Sequence, residues 1–173
     1  MAVRTVRRYG DPILRQKARP VAEVTPEIKA AIADLVETMH DQIGIGLAAP
    51  QVGIPLRLVV MDDGKGDVRT LVNPVVTERE GSIRGEEGCL SIPGIFAEVE
   101  RSSRVRVEAL DADGQGVSFE ARGLPARVIQ HEIDHLDGVL FIDRLPPVQR
   151  DRIKRKIQKE GLREDSSRHA FAL

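Results

Sequence analysis

The sequence predicts a mixed fold of short strands and a few helices, organised around one helix buried near the centre. Between Arg57 and Ala121, short runs rich in Val, Leu and Ile are broken by turn residues, the signature of strands. The stretch that opens at Gly123 is apolar over most of its circumference, so it belongs in the interior. That same stretch carries Gln130-His131-Glu132-Ile133-Asp134-His135. Two buried histidines on one helix need partners, and a metal ion would provide them.

Length and composition bound the problem. A chain of 173 residues, 41% hydrophobic and 31% charged, fits one globular domain with a real core. Its net charge of −1 sets up no global field toward nucleic acid or membrane. With no Trp and one Tyr it lacks a stacking platform for single strands. No run is long enough to span a bilayer, and the basic Met1 to Gly10 is not followed by the apolar run of a signal peptide. The single cysteine, Cys89, excludes an internal disulfide and suits a reducing compartment.

Taken in order, residues 3–9 alternate weakly and Pro12 to Gln16 suits one helical turn. Thr25 is an N-cap with Pro26 at the first helical position, and Ile28, Ile32, Leu35, Met39 and Ile43 form an apolar stripe. Gly44 is the expected left-handed stop of that helix. His40 reads as an ordinary surface or core-edge histidine. Gly44-Ile45-Gly46-Leu47-Ala48-Ala49-Pro50-Gln51 is either a tight buried loop or a place where backbone approaches something closely. Strands are expected over Arg57–Met61, Thr70–Val76, Phe96–Val99, Ser103–Leu110 and Gln115–Ala121, with Pro74 confined to an edge or bulge. Glu78 to Gly85 reads as a connection, and Asp111 to Gly114 as a hairpin turn. Leu124, Val128, His131 and His135 share one face of the next helix, with Ile129, Ile133, Leu136 and Leu140 along another and Gly138 ending it. A last helix over about 147–160 bears Arg150, Arg152, Lys154, Arg155, Lys156 and Lys159. Its basic face is either simply solvated or a weak contact for an acidic partner such as ribosomal RNA. Residues 1–162 are expected to form a single catalytic domain, and 163–173, with His169, a frayed tail.

His131 and His135 are one helical turn apart, so both imidazoles can reach one ion. Glu132 projects about 100° away, where a carboxylate could take a proton from a metal-bound water. A catalytic ion usually has a third protein ligand. Cys89 is a candidate, although a lone cysteine is more often a small buried hydrophobe.

Three stretches read together resemble the peptide deformylases: Gly44 to Gln51, Glu87-Gly88-Cys89-Leu90-Ser91, and Gln130 to His135. The resemblance runs from Tyr9-Gly10-Asp11-Pro12 to Gly138-Val139-Leu140-Phe141. It implies an α+β fold of antiparallel strands packed around a central helix that carries the HExxH metal motif. It implies removal of the formyl group from the N-terminal formylmethionine of newly made polypeptides. By the same resemblance Cys89, His131 and His135 bind the metal, and Glu132 activates the metal-bound water and passes the proton to the leaving amine. Gln51 and the backbone N–H of Leu90 would stabilise the oxyanion, and the Gly46 backbone would hold the substrate as an added strand. The donor set suits Zn2+ by softness, whereas the resemblance implies Fe2+, with Zn2+, Ni2+ or Co2+ as replacements.

The methionine side chain needs an apolar pocket, for which Leu124, Val128 and His131 are the expected wall. Arg127 is expected to border it with its stem and to send its charge into water. Glu87 and Arg101 are either supports of the Cys89 loop or two independent surface charges. The expected partners are N-formylmethionyl nascent peptides and no membrane. The expected state is a monomer in the bacterial cytoplasm. Two alternatives compete: an HExxH protease with a downstream third ligand such as Asp143, and an inactive deformylase-like metal-binding or nascent-chain-binding module.

Overall fold

A computed structural model describes residues 2–162. The expected tail, Arg163 to Leu173, lies outside the described residues, and so does His169. Seven strands and three helices follow in the order α1 (Pro26–Asp41), β1 (Gly46–Ala48), β2 (Leu58–Asp62), β3 (Val68–Glu80), β4 (Ile83–Cys89), β5 (Ile92–Arg101), β6 (Arg104–Leu110), β7 (Gly116–Arg122), α2 (Leu124–Leu136) and α3 (Pro147–Glu160). Short 3-10 turns lie at Pro12–Arg15, Ala49–Val52 and Phe141–Arg144. Strands β1-β2-β3-β6-β7 form an antiparallel five-stranded sheet, and β4-β5 a separate two-stranded ribbon. This is the α+β arrangement of antiparallel strands around a central helix.

Helix α2 covers one face of the larger sheet. Val128, Ile129, Ile133 and Leu136 pack there with Ala48, Val59, Met61, Leu71, Val105 and Val107. Helix α1 covers the opposite face of β1–β3, where Ile32, Leu35 and Met39 meet Leu47, Leu58, Val60 and Val72. Strand β2 is therefore buried on both sides, which explains its unbroken run Leu58-Val59-Val60-Met61. A third apolar cluster joins the ribbon to the chain after α2, through Ile92, Val99, Leu140, Phe141 and Ile142.

Three expectations are corrected. Glu78 to Gly85 is no connection: β3 runs on to Glu80 and β4 starts at Ile83. Its polarity is that of a strand end exposed to solvent, tied across the sheet by Arg104, which pairs with both Glu78 and Glu80. Leu140 lies beyond the end of α2, in the approach to the next turn, although it is buried. The left-handed residue after α1 is Ile43, at φ 55°, and not Gly44. The Ile43 N–H bonds to the His40 carbonyl and the Gly44 N–H to that of Met39, which is a Schellman closure. The expected stripe thus loses Ile43, which is 65% exposed.

The same closure ends α2. Gly138 takes φ 75°, its N–H bonds to the His135 carbonyl, and that of Val139 bonds to the Asp134 carbonyl. Glycine is needed there twice over, since a Cβ would stand 2.5 Å from the Arg15 carbonyl oxygen. Pro74 falls at a register shift in β3, next to Asn73 at φ 52°. The Asn73 amide both accepts from and donates to the Val21 backbone, which holds the left-handed bend in place.

A β-branched residue in the left-handed region costs about 1–2 kcal/mol, and the exposed Ile43 side chain recovers little of it. Ile43→Gly is expected to stabilise the protein by about 0.5–1 kcal/mol after the added chain entropy of glycine. The midpoint of thermal unfolding should rise by about 1–4 °C. An unchanged or lower midpoint would show that Ile43 is held by contacts stronger than its exposure implies.

Candidate metal centre

Helix α2 follows Gly123, with Pro125 in its first turn, and buries every residue from Ala126 to Leu136. On it the Nε2 atoms of His131 and His135 come to 3.2 Å of each other. Cys89 ends β4, and its Sγ lies 3.3 Å from His135 Nε2. The three donor atoms all lie within 4.8 Å of one another and are buried. A tetrahedral ion with bonds of about 2.0–2.3 Å holds its ligand atoms about 3.3–3.6 Å apart. Among the described residues, no other group of three such side chains converges in this way.

The protons of this site are arranged by its surroundings. Glu87 is fully buried and accepts from His131 Nδ1 at 2.9 Å, so the Nε2 of a neutral His131 is left bare. Burial alone would raise Glu87, but hydrogen bonds from Arg101 and His131 hold it well below the usual carboxylate range. Burial, then neighbouring His131, pushes His135 well below the usual imidazole range, which keeps it neutral. Burial, helped by the charge of Glu132, pushes the Cys89 thiol up. A divalent cation would reverse that last shift, because it favours the thiolate directly. Two imidazole nitrogens and a thiol crowded together, buried and within 4.8 Å of one another, fit a shared cation better than they fit one another.

Glu132 is fully buried, and neither carboxylate oxygen has a hydrogen-bond partner. Burial and then the charge of Glu87 raise it well above the ordinary carboxylate value. Its Oε1 is 3.9 Å from His131 Nε2, beside the donor cluster. Gly46 in β1 faces it closely: a Cβ there would stand 2.8 Å from Val128 Cγ1 and 3.1 Å from Glu132 Cγ. Of the two readings of this stretch, the backbone does approach something closely at Gly46, and what it approaches is the motif helix. Gln51 is buried, receives the Ala48 N–H on Oε1, and aims its amide nitrogen at Ser91 Oγ (3.1 Å) and Cys89 Sγ (3.7 Å). Leu90 packs over Gly44, where a Cβ would meet its Cδ1 at 2.8 Å.

The fold thus brings Cys89, His131, His135, Glu132, Gln51, Gly46 and Val128 together. Leu124 is 59% exposed at the start of α2 and makes no closed wall. The expectation for Arg127 is reversed: it is 6% exposed, and its guanidinium turns inward to Glu87 and to backbone carbonyls. Glu87 and Arg101 are not independent surface charges, since Arg101 grips Glu87 with two hydrogen bonds of 2.9 Å. Sequence reasoning missed Asp134, which joins Arg101 (2.6 Å) to Arg144 (2.8 Å), and Ser91, whose N–H points at Cys89 Sγ (3.4 Å). The signal in the sequence is an acidic residue between the motif histidines, on a helix whose other faces are apolar.

Two outcomes test this geometry. Replacing Cys89, His131 or His135 by Ala should abolish stoichiometric uptake of a divalent ion, read by elemental analysis of the purified protein; retention by all three would refute the centre. Arg101→Met strips a shared charge from two buried carboxylates and should cost about 3–5 kcal/mol in urea unfolding.

The chain is similar to known proteins over most of its length. The sequence model described as polypeptide deformylase matches residues 3–151. A peptide deformylase of Alkalilimnicola ehrlichii is 50% identical over 162 residues, covering 92% of this chain and 91% of the relative. A peptide deformylase of Neisseria meningitidis is 45% identical over 161 residues, covering 92% and 96%. Among solved structures, the peptide deformylase of Thermus thermophilus superposes with a TM-score of 0.87 at 48% identity, covering 91% of this chain and 95% of that one.

Proposed function

The chain belongs to the peptide deformylase family, and from that premise we propose how its residues divide the work. It is a hydrolase that removes the formyl group from the N-terminus of formylated polypeptides. The observation that carries the division of roles is the convergence of Cys89, His131 and His135 beside a buried carboxylate that has no partner of its own.

Cys89, His131 and His135 are assigned as the metal ligands. A divalent ion held there supplies Lewis acidity toward the formyl carbonyl and lowers the pKa of water. Glu132 is assigned as the general base: it takes the proton of the attacking water and hands it to the leaving amine. Its burial and its raised proton affinity suit a group that must hold a proton between the two halves of the reaction. Gln51 Nε2 and the Leu90 N–H are assigned to the carbonyl oxygen as it gains charge, each such donor contributing about 3–4 kcal/mol to the transition state.

Among the described residues β1 pairs with β2 alone, at the end of the sheet, and its other edge is assigned to an extended peptide along the Gly46 backbone. The absence of a side chain at Gly46 opens the space between β1, Val128 and Glu132. Val128 and the His131 ring, with Leu124 at the rim, are assigned to the methionine side chain. Fe2+ is the working ion that the resemblance implies, and Zn2+, Ni2+ and Co2+ suit the same donors.

The protease reading loses its support here. Asp143, the downstream alternative ligand, is engaged by Arg15 and by the Leu140 N–H. The binding-module reading leaves the unpartnered Glu132 without a purpose. Residues 1–162 are read as one catalytic domain, acting as a monomer on nascent N-formylmethionyl chains in the bacterial cytoplasm. Among the described residues, no helix is long and apolar enough to cross a membrane. A weak ribosome contact through α3 is the further partner reading, supported by the exposure of Arg152, Arg155, Lys156 and Lys159.

Formate release from formyl-Met-Ala-Ser by protein purified without oxygen and loaded with Fe2+ tests the assignment, with an N-acetyl peptide and a blocked internal peptide alongside. Glu132→Gln should keep its metal and lose at least about 100-fold in kcat. Formate release that survives that change would remove Glu132 from the role of base. Gly46→Ala should raise KM, because the new methyl group fills the space beside Val128.

A further inference from the structure

Arg127 reaches into the structure from α2 and meets the ribbon with both terminal nitrogens. Its Nη1 donates to Glu87 Oε2 (2.6 Å) and to the Val99 carbonyl (2.9 Å), and its Nη2 donates to the Ile83 carbonyl (2.9 Å). Room for it is left by Gly85, where a Cβ would stand 3.0 Å from the guanidinium carbon. Gly85 is not among the glycines with a positive φ, so what calls for glycine there is space rather than backbone shape.

We propose that Arg127 is a positioning residue for the metal centre, holding Glu87 in the orientation that keeps the His131 proton on Nδ1 and its Nε2 free for the ion. The proposal rests on the metal reading above. A carboxylate offers about four lone-pair directions. Those of Glu87 are filled by four donors: Arg101 Nε, Arg101 Nη2, Arg127 Nη1 and His131 Nδ1. The two arginines are not equivalent. Arg101 divides its charge between Glu87 and Asp134, and Asp134 is also held by Arg144. Arg127 has Glu87 as its only carboxylate among the described contacts, and its remaining bonds go to carbonyls. Without Arg127, Glu87 Oε2 would keep only the Arg101 Nε bond, and the carboxylate would be free to turn out of its alignment with His131. Partners that orient a metal-bound histidine are worth about 10–100-fold in metal affinity.

The test is the rate at which cobalt-loaded protein gives up its Co2+ to excess chelator, followed by the loss of the Co2+ absorption bands. Arg127→Gln keeps a donor for the strand carbonyls and removes the charge that faces Glu87. It is expected to lose Co2+ about 10-fold or more faster than the wild type, with a circular dichroism spectrum like that of the wild type. In a Glu87→Gln background the same change should add less than about twofold, because Arg127 acts through Glu87. A wild-type rate in Arg127→Gln would overturn the proposal. So would an equal acceleration with and without Glu87, which is what a mere brace of the ribbon would give. If Arg127→Gln does not fold, Arg127→Met decides. It keeps the apolar stem and offers Glu87 no donor, so faster loss supports the proposal and the wild-type rate overturns it. Wild-type protein that takes up no cobalt would overturn the metal reading, and this proposal with it, before any variant is compared.

Discussion

The carboxylate of Glu87 is the point on which the site depends. A fully buried charge is costly unless it is paired and its lone pairs are filled, and Glu87 meets both conditions with donors from β5 and α2. Because those donors come from different elements, the ion pairs hold the β4-β5 ribbon against the central helix. That contact brings Cys89, at the end of β4, up to His131 and His135 on α2. Electrostatic pairing and metal geometry are in this sense one arrangement seen from two sides.

The apolar layers supply the rigidity that this arrangement needs. Helix α2 is clamped between the larger sheet and the residues around Phe141, whose ring stacks 6.1 Å from that of His131. A helix buried from Ala126 onward cannot rotate without opening a cavity, so the directions of its histidines are set by packing before any ion is considered. The Schellman closure at Gly138, pressed against the Arg15 carbonyl, halts the helix just after its second motif histidine.

Much of this was legible in the chain itself, and the exceptions share a cause. Thr25 and Pro26 start α1 as read, the hairpin between β6 and β7 turns where Asp111 to Gly114 stand, and Pro74 sits at a bulge. These are local effects, governed by dihedral preference and capping within a few residues. Ile43 defeated the local rule, because the left-handed position of a helix stop falls where the hydrogen bonds close and not where the nearest glycine stands. Glu78 to Glu80 read as a loop because their partners in β6 lie more than twenty residues away. Arg127 failed in the same manner: an arginine beside an apolar helix face ordinarily snorkels to water, and only a buried carboxylate on a distant strand could turn it inward.

The chain alone determined the chemistry it could perform. The spacing of His131 and His135, the placement of Glu132 and the lone Cys89 are properties of residue type and helical repeat, which no neighbour has to confer. Tertiary structure decided which of those groups meet and in what protonation state. Whether Cys89 is a hydrophobe or a donor, whether Glu87 is a surface charge or the anchor of a histidine, and whether Glu132 is paired or left bare all depend on contacts between elements far apart in sequence. The reason is one of range. Dihedral preference and helical repeat act over a few residues, whereas desolvation and charge pairing act through space, among groups that only the packed fold brings together.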